Sequence, residues 1–440
     1  MIQNLPDIFK VSDLKKKLAF TFFILAVYRI GTAIPLPGVN ADAIRAFFQA
    51  QTNNIFAFLN MFSGGAMKRL SIFALGVMPY INASIIMSVL QTAVPYLEKL
   101  SKEGAPGREK ITRITRYATV LIAGIQGFAF TFWIESMRPP GGQPVLLVSG
   151  IGFRLLLVLT LITGTMLVVW LGEQITENGI GNGISLIIFT GIVAGFPAGL
   201  KRTLDLVKAG TISFFGLLFI GLFLLAILAL TVWVEEAQRR IPIQYAQRVV
   251  GRKIYGGQRT YLPLKVDQSG VIAVIFALAF MNFPLILMQF FPNTQIAEKI
   301  RIFFQPGNPV YMIVYGILIV GFCYFYTYIT FDPHSIAENL KKSGGFIPGV
   351  RPGEQTAQKI KEVMNRIILV GAVFVVFIAI LPMILRGKLN LPFYFGGTAL
   401  LIVVGVALDT MGQIEAQLIM RHYDGLLKKG RIRGRYFNIK

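Results

Sequence analysis

The stretch LNMFSGGAMKRLSIFALGVMPYINASIIMSVLQ, residues 59–91, opens irregularly and closes as a membrane span. From Leu75 onward it is apolar enough to cross a bilayer. Ahead of that point stand Ser63-Gly64-Gly65, the cationic pair Lys68-Arg69 and a half-apolar run through Leu70, Ile72 and Phe73. A short glycine-led helix set directly against a spanning helix implies a chain that turns back on itself. Irregular backbone of this kind survives at membrane depth only where it is buried in protein or lines a cavity.

The surrounding composition is that of a polytopic membrane protein. Across 440 residues, 54% are hydrophobic, 12% aromatic and only 15% charged, with a mean hydropathy of +0.63, where a soluble domain averages about a quarter charged. Apolar windows of about 20 residues, the length a helix needs to span about 30 Å of hydrocarbon, fall near 18–36, 74–95, 117–137, 151–172, 184–200, 212–234, 270–291, 309–331, 367–386 and 395–413. That predicts ten spans, five in each half. Lys10, Lys15, Lys16 and Lys17 precede a full-length first window with no small-residue cleavage pattern after it, so this window is expected to stay as span 1.

Positive charge sets the expected orientation. With the amino terminus inside, 30 lysines and arginines fall on inner segments and 12 on outer ones, which predicts both termini in the cytosol. Most of the formal charge of +22 then faces an anionic lipid leaflet. An odd number of spans per half starts the second half on the opposite side. If the halves are structural repeats, they are inverted.

Several functional classes lack their residues. The only histidines, His334 and His422, lie outside the windows, which disfavours a haem-bearing or quinone-reducing subunit of a bioenergetic complex. Gly387-Lys388 is followed by Leu389, so no P-loop exists. The carboxylates nearest the spans, Glu135, Glu173, Glu235, Glu236 and Asp409, sit at predicted membrane ends. An ion-coupled secondary transporter with inverted repeats, the main alternative, usually keeps carboxylates at the midplane. Cys323, the single cysteine, reads as a core residue, and no cofactor or metal site is expected. Arg29, two-thirds along span 1, is expected to snorkel or pair with a neighbouring polar group. Asn82-Ala83-Ser84 is buried in span 2 and is a chance match to a glycosylation site.

Three inner loops stand out. Residues 98–116 mix charges around Gly104, Pro106 and Gly107 and read as a solvated connector. Residues 238–266 alternate apolar and polar on either side of Gly256-Gly257, suggesting a projecting hairpin. Residues 331–366 carry a short helix, a Gly-Gly break, a proline-framed tip at Pro348 to Pro352, and a second helix with Gln355 to Glu362 on its exposed turns. Arg252, Lys253, Arg259 and Arg351 on such stiff tips suit docking to an acidic or phosphate-rich partner.

The windows FSGGAMKRLSIFALGVMPYI (62–81), MLVVWLGEQITENGIGNGISLIIFTGIVAG (166–195), YLPLKVDQSGVIAVIFALAF (261–280), GGFIPGVRPGEQTA (344–357) and FGGTALLIVVGVALDTMGQIEAQL (395–418) closely resemble the SecY family. The resemblance runs in order from about Leu14 to Leu427.

The resemblance implies an all-α polytopic membrane protein of ten transmembrane helices in two inverted five-helix halves, with a short plug helix. It implies an hourglass pore, a lateral gate between spans 2 and 7, and passage of unfolded secretory proteins, with apolar segments released sideways into lipid and no enzymatic activity. Residues 1–17 would form a cytosolic segment, 18–200 the first half with plug 62–73, 201–211 the hinge loop, 212–413 the second half with loops 238–266 and 332–366, and 414–440 a cytosolic tail. The implied setting is the bacterial plasma membrane. The implied partners are the small subunits SecE and SecG, the SecA ATPase, translating ribosomes, secretory and membrane protein substrates, and membrane lipids.

Residue by residue, Val77 and Ile81 are four apart, as are Ile184 and Ile188, so each pair lies on one helical face. Periodicity alone makes these packing residues. The family match adds Ile275 and Ile402 and turns all six into an aliphatic pore ring, with Val77 and Gly405 departing from bulkier residues common in relatives. Phe62, Ser63, Gly64, Gly65, Ala66, Met67, Lys68, Arg69 and Leu70 match the plug, with its positive pair expected in an outer aqueous funnel. Arg351 matches an arginine contacting the motor, and the loop around 252–259 a tip used by motor and ribosome. Gly179, Gly181 and Gly183 are expected to pack closely rather than form a nucleotide loop, and Asn182 resembles a position near the pore.

Overall fold

A computed structural model describes residues 11–50, 63–137, 144–148, 150–210, 213–245, 248–250, 253–255, 259–288, 307–389 and 397–429, with residues 295, 300, 303 and 304 individually. A helix occupies each of the ten apolar windows. The first half runs α1 (Ser12–Gly31), α2 (Ala41–Ala50), a 3-10 turn (Met67–Arg69), α3 (Met78–Ala93), α4 (Pro95–Lys102), α5 (Ala105–Ser136), α6 (Ile151–Asn178), α7 (Gly183–Val193) and α8 (Phe196–Lys208). The second half begins with α9 (Phe214–Glu236) and the strands β1 (Gln238–Tyr245), β2 (Arg248–Val250), β3 (Lys253–Tyr255) and β4 (Arg259–Lys265). It continues through α10 (Gly270–Met288), α11 (Pro309–Thr330), α12 (Pro333–Lys342), β5 (Gly345–Phe346), α13 (Glu354–Leu389) and α14 (Gly397–Lys429).

Among the described residues, seven helices are long and apolar enough to cross a membrane. The three shorter ones have local causes. Helix α1 carries Lys15, Lys16 and Lys17 in its first turns. Helix α10 runs from Gly270 to Met288 and carries Pro284, whose ring removes a backbone donor, inside it. Helix α3 has 16 residues, about 24 Å of rise, and starts at Met78 rather than at the expected residue 74. The missing length is taken up by the irregular segment 63–77.

Within the first half α3 and α6 pack on α5, and α1 rests on α6 and α7. Within the second, α10 packs on α11, α11 on α13, α13 on α14, and α14 on α9. The halves meet where α3 and α5 touch α10, and again where α7 touches α14. One central cluster draws buried apolar side chains from both halves, and the first half has a second one around Leu36, Leu70, Phe130 and Leu157. Helix α9 turns Phe215, Leu218, Phe219, Leu222, Leu225 and Trp233 outward, as a lipid-facing span does. The α5–α6 hairpin is held at both ends. Arg116 donates to Glu173 at 2.8 Å; at the other end Arg154 donates twice to Glu135 at 2.8 and 2.7 Å while lying 5.0 Å over the Phe132 ring.

The strands build a platform at one face. β1 pairs antiparallel with β4 from Gln238↔Lys265 to Gln244↔Arg259, and β2 with β3 from Arg248↔Tyr255 to Val250↔Lys253. Both ladders share one register that runs through to Val250↔Lys253, so the pairing is not centred on Gly256-Gly257, the centre suggested by the alternation. Gly256 and Gly257 lie outside the described residues. Ile241, Ile243 and Leu264 face Leu340, Ile347 and Ile360 in a small separate core. The Gly344-Gly345 break leads into β5, which adds to the free edge of β1, a pairing no local pattern signals. The 98–116 connector is also more ordered than expected. It is the end of α4 and the start of α5, closed by a core of Met87, Leu97, Leu100 and Ile111 and by Lys102–Glu98 and Arg113–Glu109 pairs.

Candidate functional site

Segment 63–77 joins the loop after α1 to the start of α3. The Ser63 hydroxyl accepts from the Met67 N–H at 3.2 Å and starts the 3-10 turn, the only regular element between residues 63 and 77. Gly64 and Gly65 take φ of +63° and +91°, values that admit glycine at no steric cost. Leu70 ends the turn at φ +41°, the one positive φ among described non-glycine residues. A left-handed leucine costs about 1–2 kcal/mol; its full burial with Ala43, Ile44, Met67 and Leu157 offsets that. Arg69 is exposed, in line with an aqueous setting for the cationic pair, while Lys68 is half-buried.

The seat of this segment is built by close approach. A Cβ on Gly31 of α1 would lie 2.0 Å from the Phe73 ring, and one on Gly164 of α6 2.0 Å from the Ile72 carbonyl. A Cβ on Gly64 would lie 3.1 Å from the Cα of Gly191 in α7. Phe73 also stacks on Tyr28 at 5.9 Å. At its far end the segment pairs with the loop after α1: the Leu36 N–H donates to the Leu70 carbonyl at 2.8 Å and the Ile72 N–H to the Ile34 carbonyl at 3.0 Å.

The six candidate ring residues include Val77 at the segment's own end and gather in or against the central cluster. Val77, Ile81, Ile188, Ile275 and Ile402 are buried in the central cluster, which also holds Ala66 and Phe73, and Ile184 packs against it. Val77 caps α3, and its carbonyl accepts from the Ile81 N–H at 3.0 Å, so the spacing of four holds although Val77 precedes the helix. Ile184 presses its Cδ1 toward Gly172 of α6, a packing contact. At Gly405 a Cβ would sit 2.1 Å from Cγ2 of Val271, so bulk missing from α14 is supplied by α10.

The glycine-rich turn between α6 and α7 is packed on three sides. The Ile180 N–H donates to Thr21 of α1 at 3.1 Å, the Gly181 N–H to Gln413 of α14 at 2.9 Å, and the Gly183 N–H to Thr176 at 2.9 Å. Asn182 is exposed and caps α7 by accepting from the Ser185 N–H. On the platform Arg351 is exposed, with its carbonyl held by the buried Thr356 hydroxyl at 2.9 Å. Lys253 lies in β3 and Arg259 in β4, opposite Val250 and Gln244; Arg252 and Phe62 lie outside the described residues.

Sequence reasoning missed Tyr28, Gly31, Gly164 and Gly191 as the seat of segment 63–77. The one signal was Arg29, a charge inside span 1, which pairs with the Gly64 carbonyl at 2.6 Å.

Together these features define a polytopic, mainly helical membrane protein whose apolar centre adjoins a seated irregular segment and which carries a small sheet platform. The chain belongs to the SecY family, whose pattern matches residues 71–411. It is 47% identical to the protein translocase subunit SecY of Aquifex aeolicus over 98% of this chain and 100% of that protein. It is 44% identical to that of Escherichia coli K12 over 96% of both chains, and 42% identical to that of Thermotoga maritima over 99% of this chain and all of that one. Its fold is similar to a solved structure of a protein-conducting channel, with TM-score 0.67 and 20% identity over 94% of this chain and 97% of that one. It is also similar to Sec61 in a canine ribosome-channel complex, with TM-score 0.62 and 18% identity over 94% of this chain and 97% of that one.

Proposed function

We propose that the chain is the pore-forming subunit of a bacterial plasma-membrane translocon. It passes unfolded secretory proteins across the membrane and lets apolar segments leave sideways between α3 and α10. The observation that carries this reading is the glycine-seated segment 63–77, which adjoins, in one apolar cluster, residues of α3, α7, α10 and α14. Val77, Ile81, Ile188, Ile275 and Ile402, with Ile184 at their margin, form the constriction. Aliphatic side chains suit this task because they resist wetting, bind no ion and yield around substrate side chains of any chemistry. Segment 62–73 is the plug. A related SecY has a plug domain described as stabilising the closed channel and maintaining a membrane seal.

Both termini and the platform face the cytosol, where positive charge concentrates. Arg252, Lys253, Arg259 and Arg351 receive the SecA ATPase and the ribosome, whose RNA supplies phosphates. SecE and SecG complete the channel within the lipid. The chain conducts and does not catalyse. Reconstituted with SecE, SecG and SecA, it should carry an unfolded preprotein into vesicles with ATP. Proton-coupled solute uptake without protein passage would contradict this and favour the transporter reading.

A further inference from the structure

The two ends of segment 63–72 are held by different kinds of contact. At residues 70 and 72 the grip is backbone to backbone, onto Leu36 and Ile34, with Ser71 bridged to Pro35. At residues 63 and 64 the polar grip comes from two neighbouring side chains of α1. Arg29 Nη1 donates to the Gly64 carbonyl at 2.6 Å, and the Tyr28 hydroxyl donates to the Ser63 carbonyl at 3.4 Å. Both carbonyls belong to an irregular turn, and Gly64 approaches Gly191 closely, so that a Cβ at residue 64 would lie 3.1 Å from the Gly191 Cα.

Resting on the plug reading, we propose that Arg29 is the latch of the plug and that the 34–36/70–72 pairing is its hinge. The segment swings open from its Ser63–Gly65 end while its other end stays fixed. The physical basis is the cost of release. Freeing the 63–65 end breaks side-chain contacts that a rotamer change remakes with water in the outer funnel. Freeing the other end also strips backbone groups of their partners and uncovers Leu70, which is fully buried. A carbonyl partner makes the latch reversible: Arg29 is held by one strong hydrogen bond and not by a carboxylate.

Two disulfides separate the possibilities in the complete channel complex, with Cys323 replaced by Ala. The first, Gly64→Cys with Gly191→Cys, pins the latch end, where the Cβ of residue 64 would approach the Cα of residue 191 to 3.1 Å. The second, Pro35→Cys with Ser71→Cys, pins the hinge across its bridge. Export into vesicles should stop under oxidation with the first pair, return on reduction, and continue with the second. Block by both pairs would overturn the hinge while leaving the plug reading standing. Block by neither would overturn the plug reading and the latch with it. Independently, Arg29→Leu should raise the open fraction of the resting channel in planar bilayers by about tenfold, the worth of one hydrogen bond to a charged group, and Arg29→Lys, which keeps a donor, should hold the rise to about threefold. Equal leaks from the two variants, or none from Arg29→Leu, would overturn the latch.

Discussion

At the residue scale, the proposed seal is aliphatic surface, and segment 63–77 is seated against glycines that admit a close neighbour. Ile81 and Ile188 are buried on α3 and α7. Changing both to Ser keeps their size small enough to pack but offers hydroxyls to water, so the resting channel should leak small ions; unchanged conductance in planar bilayers would remove them from the constriction. Gly164→Ala tests the seat. Its Cβ would fall 2.0 Å from the Ile72 carbonyl, which is backbone and cannot rotate away. We expect a loss of about 1–3 kcal/mol, visible as a lower melting temperature of the purified complex. The ring pairs were legible as spacings of four, but spacing cannot distinguish a pore face from a packed one. Ile184 shows why: the same periodicity that places it near Ile188 also serves contact with Gly172. Arg29 was legible as a charge in an apolar run, whereas its partner depends on a contact 35 residues away.

At the element scale, helix ends and turns carry the function. Asp267 accepts from the Ser269 hydroxyl at 3.0 Å and the Gly270 N–H at 2.8 Å and so sets the start of α10. Burial pushes its carboxyl above the usual carboxylate range, against those hydrogen bonds and Lys265. A carboxyl raised on folding favours the folded state while protonated, and that contribution is lost as pH rises through its raised value. Asp267→Asn keeps an acceptor without the charge, so its melting temperature relative to the parent should rise with increasing pH; a constant difference would contradict the assignment. On the platform, Arg351→Glu reverses an exposed charge on a tip held by Thr356. It should abolish SecA-driven export in vesicles while leaving insertion of membrane proteins intact; normal export would count against motor docking there. Strand alternation in 238–266 announced a hairpin, but not its turn, because register is set by pairing rather than by the most glycine-rich dipeptide. The β5 addition was invisible for the same reason: two residues carry no period. The span windows, in contrast, were readable because about 20 apolar residues have few other uses.

At the scale of the whole molecule, two helical halves touch along α3–α10 and α5–α10 on one side and α7–α14 on another. The second contact carries a direct hydrogen bond from the glycine turn at Gly181 to Gln413. In the proposed reading the α3–α10 side is the gate and segment 62–73, just ahead of α3, the plug, so opening the gate and freeing the seat would involve the same helix. Helix α3 is short because the irregular segment 63–77, seated separately on α1, α6 and α7, takes up the start of the span. In the proposed channel a translocating chain passes through the constriction beside Ile81 of α3 and Ile275 of α10. The direct test places photo-crosslinking groups singly at Ile81, at Ile275 and at the outward-facing Phe219, and stalls a secretory chain in the complete channel. Adducts from Ile81 and Ile275 but not from Phe219 are predicted; adducts from none of them, or equally from all three, would contradict the account.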